Sequence, residues 1–230
     1  MKNETAFKLN LDSDVKEIPL PYFSTKYYEI DDFYADPDAV NKYIDENADY
    51  HLFKEGVKGS NNGITFSDKR HTAKIYALET VAETVRRVCG ARSFKNDPQQ
   101  LLTNTFQMHD KEWNTWKTHW WWPHLDHGWT AIIYLNKEHC EGTNLYHKLG
   151  FPKVMGGVKG FDNVIRKGSE ANAEHIAPWI PKEEWHCVHT LESKYNRCTI
   201  FPSRVYHGQN IASDRWFTDV RRNQVIFMEV

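Results

Sequence analysis

Long apolar runs are missing from this 230-residue chain, and so is any surplus of charge of one sign. Its 29 Lys and Arg stand against 31 Asp and Glu, a formal net charge of −2. With no basic block, nucleic-acid binding by bulk electrostatics is not indicated. No stretch reaches the length that crosses a bilayer as a helix, so no membrane partner is expected. The first residues, Met1-Lys2-Asn3-Glu4-Thr5, hold no apolar signal core, and a cytoplasmic protein is the expectation. Cysteine is sparse. Cys89, Cys140, Cys187 and Cys198 form no C-x-x-C pair, which favours reduced thiols over a disulfide framework. His186-Cys187-Val188-His189 and His139-Cys140 raise a zinc question, but their spacing matches no structural zinc pattern. Internal repeats, low-complexity tracts, peptide-binding signatures and nucleobase-reading motifs are absent as well, and nothing speaks to oligomeric state.

What is there divides into two halves within one expected domain, 1–230. Residues 1–100 read as a polar arm with supporting helices. Residues 1–25 are extended, with one edge strand, and Tyr27–Phe33 is a strand running into a turn. Asp36-Pro37 opens a helix, with an acceptor at the N-cap and Pro where no hydrogen bond is lost. That helix carries Val40, Tyr43 and Ile44 on one face. Helical spacing of Ile75, Leu78, Val81 and Val85 predicts a second helix over 72–89, capped at Gly90. Gly59-Ser60-Asn61-Asn62-Gly63 marks a loop between them. From Leu101 on, short strands take over: 101–108, 129–135, 143–146, 197–201, 204–207 and 224–230. Strands following helices argue for an α+β chain. The segment 147–190 has weak periodicity and reads as an insert, in the role of a lid.

The most informative pattern is His124-Leu125-Asp126 with a distant His207. Side chains at i and i+2 of an extended segment point to the same side. A second His from another strand then completes two His and one carboxylate on one face, the set that non-haem Fe(II) oxygenases use. Twelve His in the chain make a lone H-x-D weak evidence, so its surroundings matter. Trp122-Pro123 precede it, and His127-Gly128, Ala131-Ile132-Ile133-Tyr134-Leu135-Asn136 and Glu141-Gly142-Thr143 follow. His119 and His127 have no identifiable partner and default to structural roles. Trp113, Trp116, Trp120, Trp121 and Trp122 crowd the approach, either as core cover or as a stacking wall for a flat substrate.

From about Asn104 to Val230 this text resembles the catalytic core of the Fe(II)/2-oxoglutarate-dependent oxygenases, in the prolyl-hydroxylase-like branch. The resemblance implies a double-stranded β-helix, a jelly-roll or cupin-like core, over 101–230. It implies His124, Asp126 and His207 as ligands of Fe(II), with 2-oxoglutarate and O2 as co-substrates. In the family an Arg opening the last core strand holds the far carboxylate of 2-oxoglutarate, because its planar fork matches a carboxylate. A Tyr before Leu-Asn adds a hydroxyl. Here those residues are Arg222 and Tyr134, with neighbouring Arg221 the alternative if the strand register shifts by one. Thr105 or Gln107 could contact cofactor or substrate. Glu141 stands where the family's turn has Gly, and the Arg pair is a second departure. The implied activity is hydroxylation of a small-molecule or prolyl/peptidyl substrate, releasing succinate and CO2. The carboxylate Asp126 argues against a halogenase. A non-catalytic jelly-roll binding protein and a cupin-like metal hydrolase are the competing readings.

Overall fold

The structure, a computed structural model, describes residues 3–52, 71–76, 79–95, 97–108, 115–126, 128–138, 141–150 and 179–229. A short helix α1 (Asn3–Ala6) and an edge strand β1 (Val15–Leu20) lead into β2 (Thr25–Ile30). Helix α2 (Pro37–Asn47) begins as its sequence demands: Asp36 Oδ1 accepts the Ala39 N–H at 3.0 Å, and Pro37 takes the first position. Then come β3 (His51–Leu52), β4 (His71–Tyr76), α3 (Glu79–Cys89), β5 (Ser93–Phe94) and β6 (Gln100–Phe106). Gly90, at φ 68°, ends α3 in the left-handed conformation, with the Ala91 N–H bonded back to the Arg86 carbonyl. Helix α4 (Thr115–Thr118) runs into β7 (His119–Trp121) and is followed by β8 (Trp129–Tyr134), β9 (Thr143–Lys148) and β10 (Trp179–Pro181). The chain closes with β11 (Trp185–Leu191), β12 (Cys198–Pro202), β13 (Tyr206–Gln209) and β14 (Arg221–Glu229).

Most of this is antiparallel β-sheet with few helices. The large sheet runs β1-β2-β12-β8-β14-β6-β4-β3, with β5 added beside the end of β14. A smaller sheet, β11-β9-β13, and a β10-β7 pair make up the rest. Strand alternation gives the large sheet two buried faces. One packs Ile30, Ala131, Ile133, Ile200, Ile226 and Met228 against Val40 and Ile44 of α2 and Val81 and Val85 of α3. The other packs Phe106, Ile132, Tyr134 and Phe201 against Leu145 and Leu191 of the smaller sheet. Each fully buried Ile, Val, Leu, Met or Phe among them contributes roughly 1.5–3 kcal/mol on burial. The space between the two sheets is where the candidate ligands meet.

Three expectations are corrected here. The helix expected over 72–89 is a strand, β4, followed by the shorter α3. Ala73 and Ile75 are buried while Lys74 and Tyr76 are exposed, a period of two that pairs β4 with β6 and overrides the helical spacing. The segment 147–190 is not an unstructured insert at its ends, because β9 reaches Lys148, and β10 and β11 occupy 179–191. Its middle, 151–178, lies outside the described residues, as does the Gly59–Gly63 loop. The polar arm, expected to be extended apart from one edge strand, begins with α1.

Gly208 decides how closely β13 approaches the segment before His124. A Cβ there would lie 2.5 Å from the Trp121 carbonyl oxygen and 3.1 Å from that of Trp122. Gly208→Ala therefore overpacks the junction, at an expected cost of ~1–3 kcal/mol. In a chain of this size that lowers Tm by roughly 2–12 °C. Scanning calorimetry would read the shift, and an unchanged Tm would mean that the junction is not tightly packed.

Candidate metal centre

The site is built on a backbone contact. The His124 N–H donates to the His207 carbonyl and the His207 N–H to the His124 carbonyl, both at 2.9 Å. This bridge adds the Trp122–Asp126 segment to the edge of the smaller sheet beside β13. His124 Nδ1 lies 3.0 Å from the Trp122 carbonyl, and His207 Nδ1 lies 2.9 Å from that of Val205. A carbonyl only accepts, so each Nδ1 carries a proton, and in the neutral ring each Nε2 keeps its lone pair for a metal. Asp126, two residues past His124, returns to the same side. Its Oδ2 stands 3.8 Å from His124 Nε2 and 3.6 Å from His207 Nε2. The three ligand atoms all lie within 4.8 Å of one another, and among the described residues no other such group of three occurs.

The surroundings hold this geometry. Trp122 stacks on the His124 ring at 5.1 Å, and Phe201 meets the His207 ring edge-on at 5.0 Å. The Asp126 N–H donates to the Ser203 carbonyl at 3.0 Å, while the Ser203 and Thr130 hydroxyls pair at 2.6 Å. Gly128, at φ 77°, carries the chain from Asp126 into β8 with its Cα against the Met228 carbonyl. Burial pushes the Asp126 carboxyl up, but while the rings also carry a proton on Nε2, the hydrogen bond with His207 and the charges of His124 and His207 outweigh it, a role a bound cation would take over from the neutral rings. The group is held well below the usual carboxylate range, ionised and ready to ligate. Two neutral imidazoles and one carboxylate on one side suit Fe(II), and equally a catalytic zinc. The donor set alone does not choose between them.

Of the two neighbouring arginines, Arg221 and not the expected Arg222 turns into the space between the sheets. Arg222 points to the helix side of the large sheet, where Nη2 pairs with Asp45 at 2.6 Å and Nη1 donates to Asn41 at 3.2 Å. Arg221 points between the sheets and is only 1 % exposed. Its guanidinium lies over the Phe106 and Tyr134 rings, and Nη2 donates to the Gly142 carbonyl at 3.1 Å. Its Nε and Nη1 are buried with no hydrogen-bond partner. Gln224 and Ile226 share the face of Arg222: Gln224 accepts from the Tyr34 hydroxyl at 2.9 Å, and Ile226 packs with the helices.

Tyr134 is fully buried, with its hydroxyl 3.1 Å from that of Thr143. Asn223 lies opposite Tyr134 on one side and Asn104 on the other, and both Asn side chains bury an unpartnered Oδ1. Neither Asn was singled out from the sequence. The available signal was an Asn set within the inward alternation of each strand, Leu102-x-Asn104-x-Phe106 and Arg221-x-Asn223-x-Val225. Thr105, by contrast, lies opposite Arg222 in the sheet, and Gln107 donates to the Phe217 and Thr218 carbonyls, so neither faces the site. Cys187 is held by the His189 carbonyl and the Thr190 hydroxyl, and with His186 and His189 it forms no metal group. His127, His139, Cys140 and Trp113 lie outside the described residues.

Replacing His124, Asp126 or His207 singly by Ala is expected to weaken Mn(II) or Fe(II) binding by more than ~100-fold. Loss of an outer-shell partner costs only ~10–100-fold. Calorimetric titration measures the affinity, and far-UV circular dichroism should stay unchanged. Full metal affinity in Asp126→Ala would remove this triad from consideration.

Several solved structures are similar to this one. A 2OG-Fe(II) oxygenase family oxidoreductase from Burkholderia pseudomallei aligns at 11% identity and TM-score 0.44, over 86% of this chain and 80% of that one. The non-heme alpha ketoglutarate dependent epimerase SnoN from nogalamycin biosynthesis aligns at 13% and 0.47, over 88% and 78%. A Pseudomonas putida prolyl-4-hydroxylase aligns at 10% and 0.35, over 99% and 97%. Similarity at this level leaves the chemistry to the residues of the site itself. No curated protein matches the sequence. The model of the Family of unknown function (DUF6445) matches residues 12–223, nearly the whole chain, and the protein belongs to that family.

Proposed function

We propose that this protein is an Fe(II)- and 2-oxoglutarate-dependent oxygenase that hydroxylates a small-molecule or prolyl/peptidyl substrate. The observation that carries the reading is Arg221, a buried guanidinium with two unpaired donors facing the space beside the metal centre. Burying a charge without a partner costs several kcal/mol even after relaxation. An anion that belongs to the working protein therefore offsets it. Arg221 is close enough to the triad for one small molecule to reach both. Along β9, Leu145 is opposite His207, while Gly142, just before the strand, accepts from Arg221. Three residues of extended chain span roughly 10 Å. A five-carbon dicarboxylate chelating a metal at one end reaches across such a gap.

His124, Asp126 and His207 would hold the iron, and Arg221 with the Tyr134 hydroxyl would hold the far carboxylate of 2-oxoglutarate. When bound, Fe(II) supplies O2 activation coupled to decarboxylation of 2-oxoglutarate to succinate and CO2. The protein's own part is orientation and exclusion of water. The carbonyls of Trp122 and Val205 lock the imidazole tautomers, while Phe106, Trp121 and Phe201 wall the space between the sheets. The strand arrangement also supports a double-stranded β-helix core. In it β12, β8, β14 and β6 face β11, β9, β13 and the His124 segment. A metal hydrolase would use the same triad but has no need of a buried, half-paired Arg.

Anaerobic titration of the Fe(II)-loaded protein with 2-oxoglutarate should develop a weak visible charge-transfer band. Arg221→Ala removes a charge-assisted partner worth ~2–5 kcal/mol. The apparent constant for 2-oxoglutarate should then rise about thirtyfold to several-thousandfold. Tyr134→Phe should give a smaller rise, and Arg222→Ala none. Iron affinity should stay as it was in all three. A silent Arg221→Ala, or no band in the unmodified protein, would sink the oxygenase reading.

A further inference from the structure

Beyond the triad and Arg221, a further cation among the described residues borders the site. Lys95 follows β5, and its N–H donates to the Phe227 carbonyl at 3.1 Å. Its ammonium lies over the Phe227 ring at 5.7 Å from the centroid. Phe227 shares the inner parity of β14 with Arg221 and Asn223, six residues along from Arg221. It lies opposite Thr130, which pairs in turn with Phe201 and bonds to the Ser203 hydroxyl. Phe201 touches His207, and the Ser203 carbonyl holds the Asp126 N–H. Lys95 is therefore at the rim of the metal centre, at the opposite end of β14 from Arg221.

The ammonium is exposed and has no ion pair with a described acidic group. A cation kept at this rim is useful when an anion enters beside the metal. Phe227 supplies an apolar surface directly under it, and Trp122, stacked on His124, supplies another flat apolar face at the centre.

We propose that Lys95, seated over Phe227 at the rim of the metal centre, anchors an anionic group, a carboxylate or a phosphate, on the substrate. The inference rests on the oxygenase reading and narrows its substrate to an anion with an apolar body small enough to lie against Phe227. Peptides without an acidic group next to the target are thereby disfavoured.

The test uses the full chain loaded with Mn(II) and saturating 2-oxoglutarate, so that Arg221 is already occupied. Benzoate, phenyl phosphate and benzyl alcohol serve as probes, and broadening of their ring-proton resonances by Mn(II) reports binding beside the metal. The two anions should bind more tightly than the alcohol, and whichever is tighter names the anionic group. Lys95→Gln should weaken the anions about threefold to tenfold, the range between an exposed pair and a hydrogen bond to a charged group. It should leave benzyl alcohol and 2-oxoglutarate unchanged, while Lys95→Arg keeps the preference. Because Lys95 is exposed, these variants should fold normally. Equal binding of all three probes, or anion binding indifferent to Lys95→Gln, overturns the proposal. If 2-oxoglutarate itself fails to bind the Mn(II)-loaded protein, the oxygenase reading falls and takes this proposal with it.

Discussion

Everything at the centre depends on the two backbone hydrogen bonds exchanged by His124 and His207. A residue pair that exchanges both bonds sets its Cα atoms ~5.5 Å apart, with side chains on the same face. The contact also aligns each imidazole with a carbonyl two residues earlier in its own segment, so backbone geometry selects the tautomer. Asp126 then needs only the alternation of an extended chain to join them. A slip of one residue between the segment and β13 would turn one imidazole away and dismantle the triad. Gly208 permits the approach, since any Cβ there meets the Trp121 carbonyl.

Charge is distributed with equal economy. The ionised Asp126 marks one end of the inner space and the buried Arg221 the other, with a span of three β9 residues between them. Around both, Phe106, Trp121, Tyr134, Leu145 and Phe201 form an apolar wall, which raises the cost of leaving either charge uncompensated. The unpartnered oxygens of Asn104 and Asn223 lie on the same wall. Such groups are rare in a protein interior and collect where a ligand completes them. The helices take no part in this chemistry. Packed on the opposite face of the large sheet, α2 and α3 bury its other side.

Much of this was legible before any fold was known. The cap of α2 was readable because Asp36-Pro37 acts within one turn. The cap of α3 was readable because Gly90 adopts a conformation that other residues resist. The core strands β8, β9 and β12 were placed within a few residues because their apolar runs are short and bounded by turn formers. The triad was legible because the H-x-D spacing carries its own geometry. Strand β4 was missed because Ile75, Val81 and Val85 fit a helical period by coincidence. Its true pattern is satisfied only by pairing with β6.

The local sequence, then, determined the candidate ligand residues, the strand-rich second half and the presence of an Arg at the start of the last strand. Which arginine enters the site was decided by tertiary structure alone. Strand β14 is central and buried on both faces, flanked by β8 and β6. The alternation of polar and apolar residues, which tells inside from outside on a half-exposed strand, is therefore lost along it. Arg222 faces Asp45 and Asn41 because α2 packs on that side, and Arg221 faces inward because the smaller sheet covers the other. Those neighbours lie 79, 177 and 181 residues away in the chain, and no local pattern encodes them.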